Sequence, residues 1–307
     1  MDLSEAIDIV LSDQLLIWAL PIFIAILLAE IGINQKRQLG LYYNKDMWAS
    51  LSLALISLVV DIIPKALAFM ALFYLHEANL LGLKDIVGRQ WWAWAILLFA
   101  DDLTYYWFHR LNHEVRLLWA GHVPHHSSVY LNYGTALRQG IGERFYKYFF
   151  WAWLPLLGFD PVMVFVMTSV NLIYQYWTHT ELVKRLPAPL EWIFNTASHH
   201  RVHHASQSRY LDRNHAGIFI IWDKMFGTFS EEKDFDPPQY GLTKNIETYH
   251  PLHIIIHEYV AIWHDVRRTD KWSDKLKYIF LAPGWSHDGP DLRAKTMRQN
   301  AAARDPA

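Results

Sequence analysis

Between Leu15 and Ile33 the chain is apolar at nearly every position except Glu30, and from Met47 to Leu75 a second apolar stretch runs longer still. A run of about 20 apolar residues is long enough for a helix to cross a bilayer, where every backbone N–H and C=O must be satisfied within the segment. Only acidic residues precede the first run (Asp2, Glu5, Asp8 and Asp13), whereas a cleaved signal peptide starts with basic ones. The first run therefore reads as a retained span.

Two further regions extend the pattern. "WWAWAILLFADDLTYYWFH", Trp91 to His109, opens on the aromatic cluster expected at a membrane interface and turns polar before its end. Phe145 to Trp177 is broken by "GFDP" at Gly158 to Pro161 and reads as two helices forming a hairpin. The chain is 52% apolar and 15% aromatic, above the apolar share of typical soluble domains. The expected fold is an all-α integral membrane protein of about four transmembrane or hairpin helices, near 14–33, 47–75, 91–108 and 145–178.

Lys36, Arg37 and Lys45 mark the first loop as cytoplasmic by the positive-inside rule. Threading onward puts 76–90 outside and returns His109 to the cytoplasmic side, in agreement with Arg110, Arg116, Arg138, Arg144 and Lys147. Residues 109–144 and 179–287 then form a histidine-rich helical cap on the cytoplasmic face of a single domain, 1–287. A polar tail, 288–307, is expected to be mobile. A bacterial inner membrane suits this reading better than the endoplasmic reticulum.

Nine of the 17 histidines fall in two short windows, "HRLNHEVRLLWAGHVPHH" (109–126) and "SHHRVHH" (198–204). With no cysteine in the chain, disulfides, thiolate zinc sites, iron–sulfur clusters and thiol nucleophiles are excluded, so a metal must be held by nitrogen or oxygen. Net charge is −2, which gives no reason to expect nucleic acid. His109 and His113 lie at i and i+4 on one helical face. His122, His125 and His126 form an HxxHH set, repeated by His200, His203 and His204; rings three or four apart can converge on one ion.

Eight such ligands exceed what one zinc takes, and suit two ions. Imidazole alone accepts iron, copper, nickel or zinc. His179, in "QYWTHTE", reaches the same membrane face as a ninth candidate. His199 and His215 stay undecided between ligand and structural roles, and His250, His253, His257 and His264 form one helical stripe that reads as an interfacial face. Asp102, two turns before His109, is expected to orient that ring, and Glu114, directly after His113, to act as a second supporting acid. The protease motif HExxH is absent, as are nucleotide-binding and serine-nucleophile fingerprints.

The three boxes HxxxH, HxxHH and HxxHH, in order after hydrophobic spans, resemble the membrane fatty acid hydroxylase/sterol desaturase superfamily. Within it, "YYWFHRLNHE", "LWAGHVPHHSS", "TALRQ", "QYWTHTE", "SHHRVHH", "IIWDKMFGTF" and "YGLT" are most similar to the alkylglycerol monooxygenase group and its bacterial relatives. These segments cover roughly residues 90 to 245.

The resemblance implies a non-haem di-iron centre that uses O₂ to hydroxylate a lipid C–H bond, with His109, His113, His122, His125, His126, His200, His203 and His204 as ligands and His179 as the ninth. It implies a lipid substrate from the bilayer and an external electron donor, either tetrahydrobiopterin or a cytochrome b5- or ferredoxin-type protein. The alkylglycerol group cleaves ether lipids. Thr135, Arg138 and Gln139 of "TALRQ" are candidates for touching the substrate or reductant. Two alternatives stay open: a sterol, carotenoid or fatty-acyl hydroxylase or desaturase, and a metal-binding membrane protein without catalysis.

Overall fold

A computed structural model describes residues 1–11 and 14–304; Asp13 of the acidic start and the last three residues of the polar tail lie outside the described residues. The described chain is helical, joined only by isolated bridges such as Phe194 with Phe219. Helix α1 (Leu3–Leu11) packs on α3 (Asn44–Ala78), and α2 (Gln14–Arg37) lies between them in sequence. The segment Leu3–Arg37 and the helix Asn44–Ala78 are each long and apolar enough to cross a membrane. Their outward faces expose Trp18, Ile22, Leu28, Leu55, Leu58 and Val59, an apolar surface that water would penalise and lipid would not.

A single turn, α4 (Lys84–Val87), leads into α5 (Trp91–Glu114). This helix buries Ala93, Leu97, Asp101, Asp102, Tyr106, Phe108, His109 and His113. Val115, in extended conformation, breaks it before α6 (Arg116–His126). Three histidine-bearing turns thus follow one another closely, folded back at one residue. A short turn, α7 (Tyr133–Ala136), comes next, capped by the Asn132 side chain accepting from the Thr135 amide.

The expected helical hairpin over 145–178 takes a different form. Its first arm is not a helix but a chain of single turns ending in α8 (Trp153–Leu156); only the second arm, α9 (Pro161–Tyr176), is a full helix. The arm ends in α8, which contains Pro155, and the left-handed Gly158 (φ 90°) follows it at the break before α9. The Trp151 indole instead donates to buried Asp101 at 2.6 Å, and the same carboxylate accepts from Thr168 and Asn171 of α9. Apolar content in this region builds a protein core: Phe69, Leu97, Phe108, Trp151, Leu154 and Met163 belong to one buried cluster.

Short helices α10 (Ala188–Ile193), α11 (Ala197–His203) and α12 (Ile221–Phe226) carry the second histidine window and its support. α13 (Pro251–Arg267) lies across α6, and α14 (Trp272–Phe280) packs on α13. The tail expected to be mobile is ordered into α15 (Ala294–Arg304), where Arg298 donates to the Leu211 carbonyl and Thr296 to Asp291.

Candidate metal centre

The histidines sort into two groups whose ligand atoms lie within 4.8 Å of one another: His109, His113, His122, His126 and His203, and His125, His179, His200 and His204. All nine are buried. Each HxxHH set divides the same way. The i and i+4 rings stay together (His122 with His126, His200 with His204), while the ring between them crosses to the other group (His125 and His203). Neighbouring helical residues diverge by roughly 100°, so an adjacent histidine pair at the end of one short helix can serve two ions at once.

Hydrogen bonds fix the tautomers. The Nδ1 atoms of His109, His125, His179 and His203 donate to the carbonyls of His215 (2.8 Å), Arg138 (3.1 Å), Gln175 (2.9 Å) and Arg213 (3.0 Å). His122 Nδ1 meets Glu143 Oε1 at 2.5 Å, and His113 Nδ1 meets Asp212 Oδ1 at 3.2 Å. A ring that donates from Nδ1 presents a bare lone pair at Nε2. Yet His109 Nε2 and His122 Nε2 stand 3.1 Å apart, as His125 Nε2 and His179 Nε2 do at 3.2 Å. Neither pair can be a hydrogen bond, and His113 Nε2 and His203 Nε2 have no partner at all. A cation placed among these lone pairs resolves every one of them.

The donor set fits such an ion. Bonds of about 2.1 Å put ligands about 3.0 Å apart at right angles and about 3.4 Å apart in a tetrahedron. The remaining contacts, His122 with His126 (3.1 Å), His179 with His200 (2.8 Å) and His200 with His204 (3.0 Å), lie at the right-angle end. Together with five imidazoles in one group, that favours an ion that takes more than four ligands. Burial, followed by the neighbouring imidazoles, holds His109, His113, His125, His126, His200, His203 and His204 well below the ordinary histidine value, and burial holds His179 at about 4. They are neutral and ready to bind a metal.

The supporting acids are not those expected from the sequence. Asp102 does not reach His109, whose Nδ1 is taken by the His215 carbonyl. Its carboxylate accepts from the amides of Ile218 (2.6 Å) and Phe219 (2.9 Å), the Trp222 indole (2.9 Å) and Asn171 (3.1 Å). It pins the strip that follows His215, and Gly217 has no side chain because a Cβ there would meet Asp102 Oδ1 at 2.6 Å. Glu114 turns away to pair with Arg110 at 2.9 Å. The acids that do touch the histidines are Glu143 and Asp212, which lie in no histidine motif. Burial pushes the Glu143 carboxyl up, but the adjacent His122 ring outweighs that and holds it below its ordinary value. Asn112 and Tyr146 continue the chain behind it, Asn112 donating to Glu143 (3.1 Å) and Tyr146 to Asn112 (2.8 Å).

The "TALRQ" residues lie behind the centre. Arg138 is 1% exposed, donates to Asp46 and to the Pro124 carbonyl, and lends its own carbonyl to His125. Thr135 bonds the Tyr130 carbonyl and Gln139 the Ala136 carbonyl, so both are used within their own loop. His199 closes a capping box with Thr196 and meets Glu191 at 3.1 Å, outside both groups. His215 is buried against His113, ring centres 5.0 Å apart, with neither nitrogen bonded.

A cavity of about 680 Å³ opens onto both groups, lined by His113, His126, His203 and His204 at its base and by Trp119, Lys244 and others above. From the 250–264 stripe, only His253 and His257 line it.

Residues 94–228 match the fatty acid hydroxylase family. Over 275 residues the chain is 39% identical to an alkylglycerol monooxygenase of Danio rerio, an alignment covering 89% of this chain and 60% of that protein. Identity to the alkylglycerol monooxygenase of Homo sapiens is 37% over 278 residues, again 89% and 60% of the two chains. An ornithine lipid hydroxylase of Rhizobium tropici is 31% identical over 151 residues, 46% of this chain and 43% of that one. The chain thus spans about 60% of the length of the alkylglycerol relatives it matches. No solved structure matches.

Proposed function

Residues 94–228 match the fatty acid hydroxylase family, and from that likeness we propose that the chain is a membrane-bound di-iron oxygenase that hydroxylates lipids, with ether lipids of the alkylglycerol type as its substrates. The observation that carries the reading is the pair of buried imidazole groups whose Nε2 lone pairs face one another. His109, His113, His122, His126 and His203 would hold one iron, and His125, His179, His200 and His204 the other. Bound iron would supply the O₂ activation that hydroxylating a lipid C–H bond requires.

The chain's own residues do the rest. Glu143, Asp212 and four backbone carbonyls hold six of the nine rings by Nδ1, those of His109, His113, His122, His125, His179 and His203, so that their Nε2 atoms face inward, which reduces the reorganisation cost of binding. Trp119 lies tilted against His113 and His126, with centroids at 5.0 and 5.5 Å, and walls the centre on its cavity side. The cavity of about 680 Å³ admits part of a lipid beside both groups. Hydroxylation of the carbon beside an ether oxygen consumes O₂, two electrons and two protons and yields water and a hemiacetal, which collapses to an aldehyde and a glycerol.

The electrons come from outside the chain, from tetrahydrobiopterin or a cytochrome b5- or ferredoxin-type donor. Basic residues Lys36, Arg37 and Lys45 support a centre on the cytoplasmic side of a multi-pass membrane protein. A second reading, hydroxylation or desaturation of a sterol or other lipid, is supported by 25% identity over 149 residues to lathosterol oxidase of Homo sapiens.

The test is turnover by iron-loaded protein of an alkylglycerol and, in parallel, a sterol and a fatty-acyl lipid, with a tetrahydropterin or reduced ferredoxin. Aldehyde released from the alkylglycerol supports the first reading. A gain of one oxygen or loss of two hydrogens on another lipid alone supports the second, and O₂ consumption with none of them overturns both.

A further inference from the structure

A second cavity, of about 720 Å³, shares Asp212 as a wall with the one above the metal centre, and the proposed chemistry uses none of its other charged groups. Arg110, Arg213, Arg293, Lys295 and Arg298 line it against two carboxylates, Glu114 and Asp212. Arg110 is neutralised by Glu114 at 2.9 Å and Arg293 by Asp291 at 2.7 Å. Of the charges that line the cavity, Arg213, Lys295 and Arg298 then face Asp212, an excess of two positive charges, with Asp223 acting on Arg213 from outside the lining.

Neither of these two guanidinium groups hydrogen-bonds or ion-pairs with a carboxylate among the described residues; both feel the charge of Asp212 from further away. Arg213 donates to the Gly227 carbonyl at 2.7 Å and Arg298 to the Leu211 carbonyl at 2.5 Å, which fixes both groups without discharging them. Burial, and then the charge of Arg298, hold the Arg213 guanidinium below its ordinary value. Two half-buried cations that repel each other cost stability, and a cleft that keeps them is built for an anion.

A different element supplies donors to the same space. The first turn of α15 lines the cavity with Ala294, Lys295 and Thr296, whose backbone amides donate to no acceptor among the described residues, and that turn holds no acid. Phe226, Phe280 and Leu281 give the cleft an apolar side.

We propose that this cleft binds a phosphate group. Guanidinium forks match phosphate oxygens two at a time, helix N-terminal amides aim at anions, and an excess of two charges suits a dianion better than a single carboxylate. The phosphate belongs either to a lipid headgroup, whose chain the apolar side accepts, or to a free soluble ion.

The experiment uses the full metal-loaded protein at constant ionic strength. Equilibrium dialysis measures inorganic phosphate, and native mass spectrometry from nanodiscs measures retention of phosphatidic acid against phosphatidylcholine. Wild type is expected to bind, with Arg213→Gln/Arg298→Gln weaker by about tenfold or more and exposed Lys295→Gln weaker by about threefold, metal content unchanged in Lys295→Gln. Retention of inorganic phosphate assigns a free ion, and retention of phosphatidic acid alone assigns a lipid headgroup. Binding of neither probe by wild type overturns the site, as does equal binding by the double variant. Should the double variant fail to fold, unchanged binding by Lys295→Gln overturns it.

Discussion

The Nε2 atoms of His109 and His122 stand 3.1 Å apart with a lone pair on each, because the Nδ1 of one is held by a carbonyl and that of the other by a carboxylate. Side chains fully buried in such a contact repel unless something positive lies between them. Metal binding is therefore coupled to the packing of this whole region.

Because the two groups draw on different residues, they should empty separately. His109→Ala is expected to remove the ion of the five-histidine group, and His179→Ala that of the four-histidine group, each leaving about one iron per chain. Elemental analysis of anaerobically purified protein checks this. Loss of both irons from either variant would mean that the groups act as one site.

Glu143→Gln keeps the shape but withdraws the charge from His122. Affinity of the five-histidine group for its metal should fall by about 10–100-fold, the range found when a ligand's supporting acid is removed. Chelator competition measures it, with Glu114→Gln as the control. Glu114 pairs with Arg110 at the surface, so its change should leave metal affinity within error.

Asp102→Ala should be a folding mutation. It strands two backbone amides and the Trp222 indole in a fully buried place, at a cost on the order of 3–5 kcal/mol. Thermal unfolding in detergent should show a large drop in midpoint, and metal loss should follow unfolding rather than precede it.

Acid should release the metals and destabilise the metal-free protein together. Burial first, and neighbouring rings second, keep His109, His113, His125, His126, His200, His203 and His204 well below 6.5, and burial holds His179 at about 4. As pH falls below 6.5, imidazoles of the unfolded chain take up protons that the folded ones refuse, so stability falls with pH; above 6.5 both states are neutral and the dependence vanishes. A pH series of metal-free unfolding between 7.5 and 4 checks the sign, and a flat profile would contradict the burial of these rings.

The sequence by itself determined the helical character and the metal-binding residue types. Apolar runs at Leu15 to Ile33 and Met47 to Leu75 name helices, and the spacings HxxxH and HxxHH place rings on one helical face, because both follow from geometry within a single turn or span. The first arm of the 145–178 hairpin misled for the converse reason, since an apolar segment reads alike whether it forms one helix or a chain of single turns, and the long-range contact of Trp151 with Asp101 accompanies the latter.

Tertiary structure decided which histidine joins which group and which acids support them. His125 and His126 are neighbours in the chain and part company in space. Glu143 lies 21 residues beyond His122, and Asp212 lies 99 residues beyond His113. No local period links such pairs. Their meeting depends on how α5, α6 and the segment after α11 fold over one another, a long-range choice that spacing along the chain does not encode.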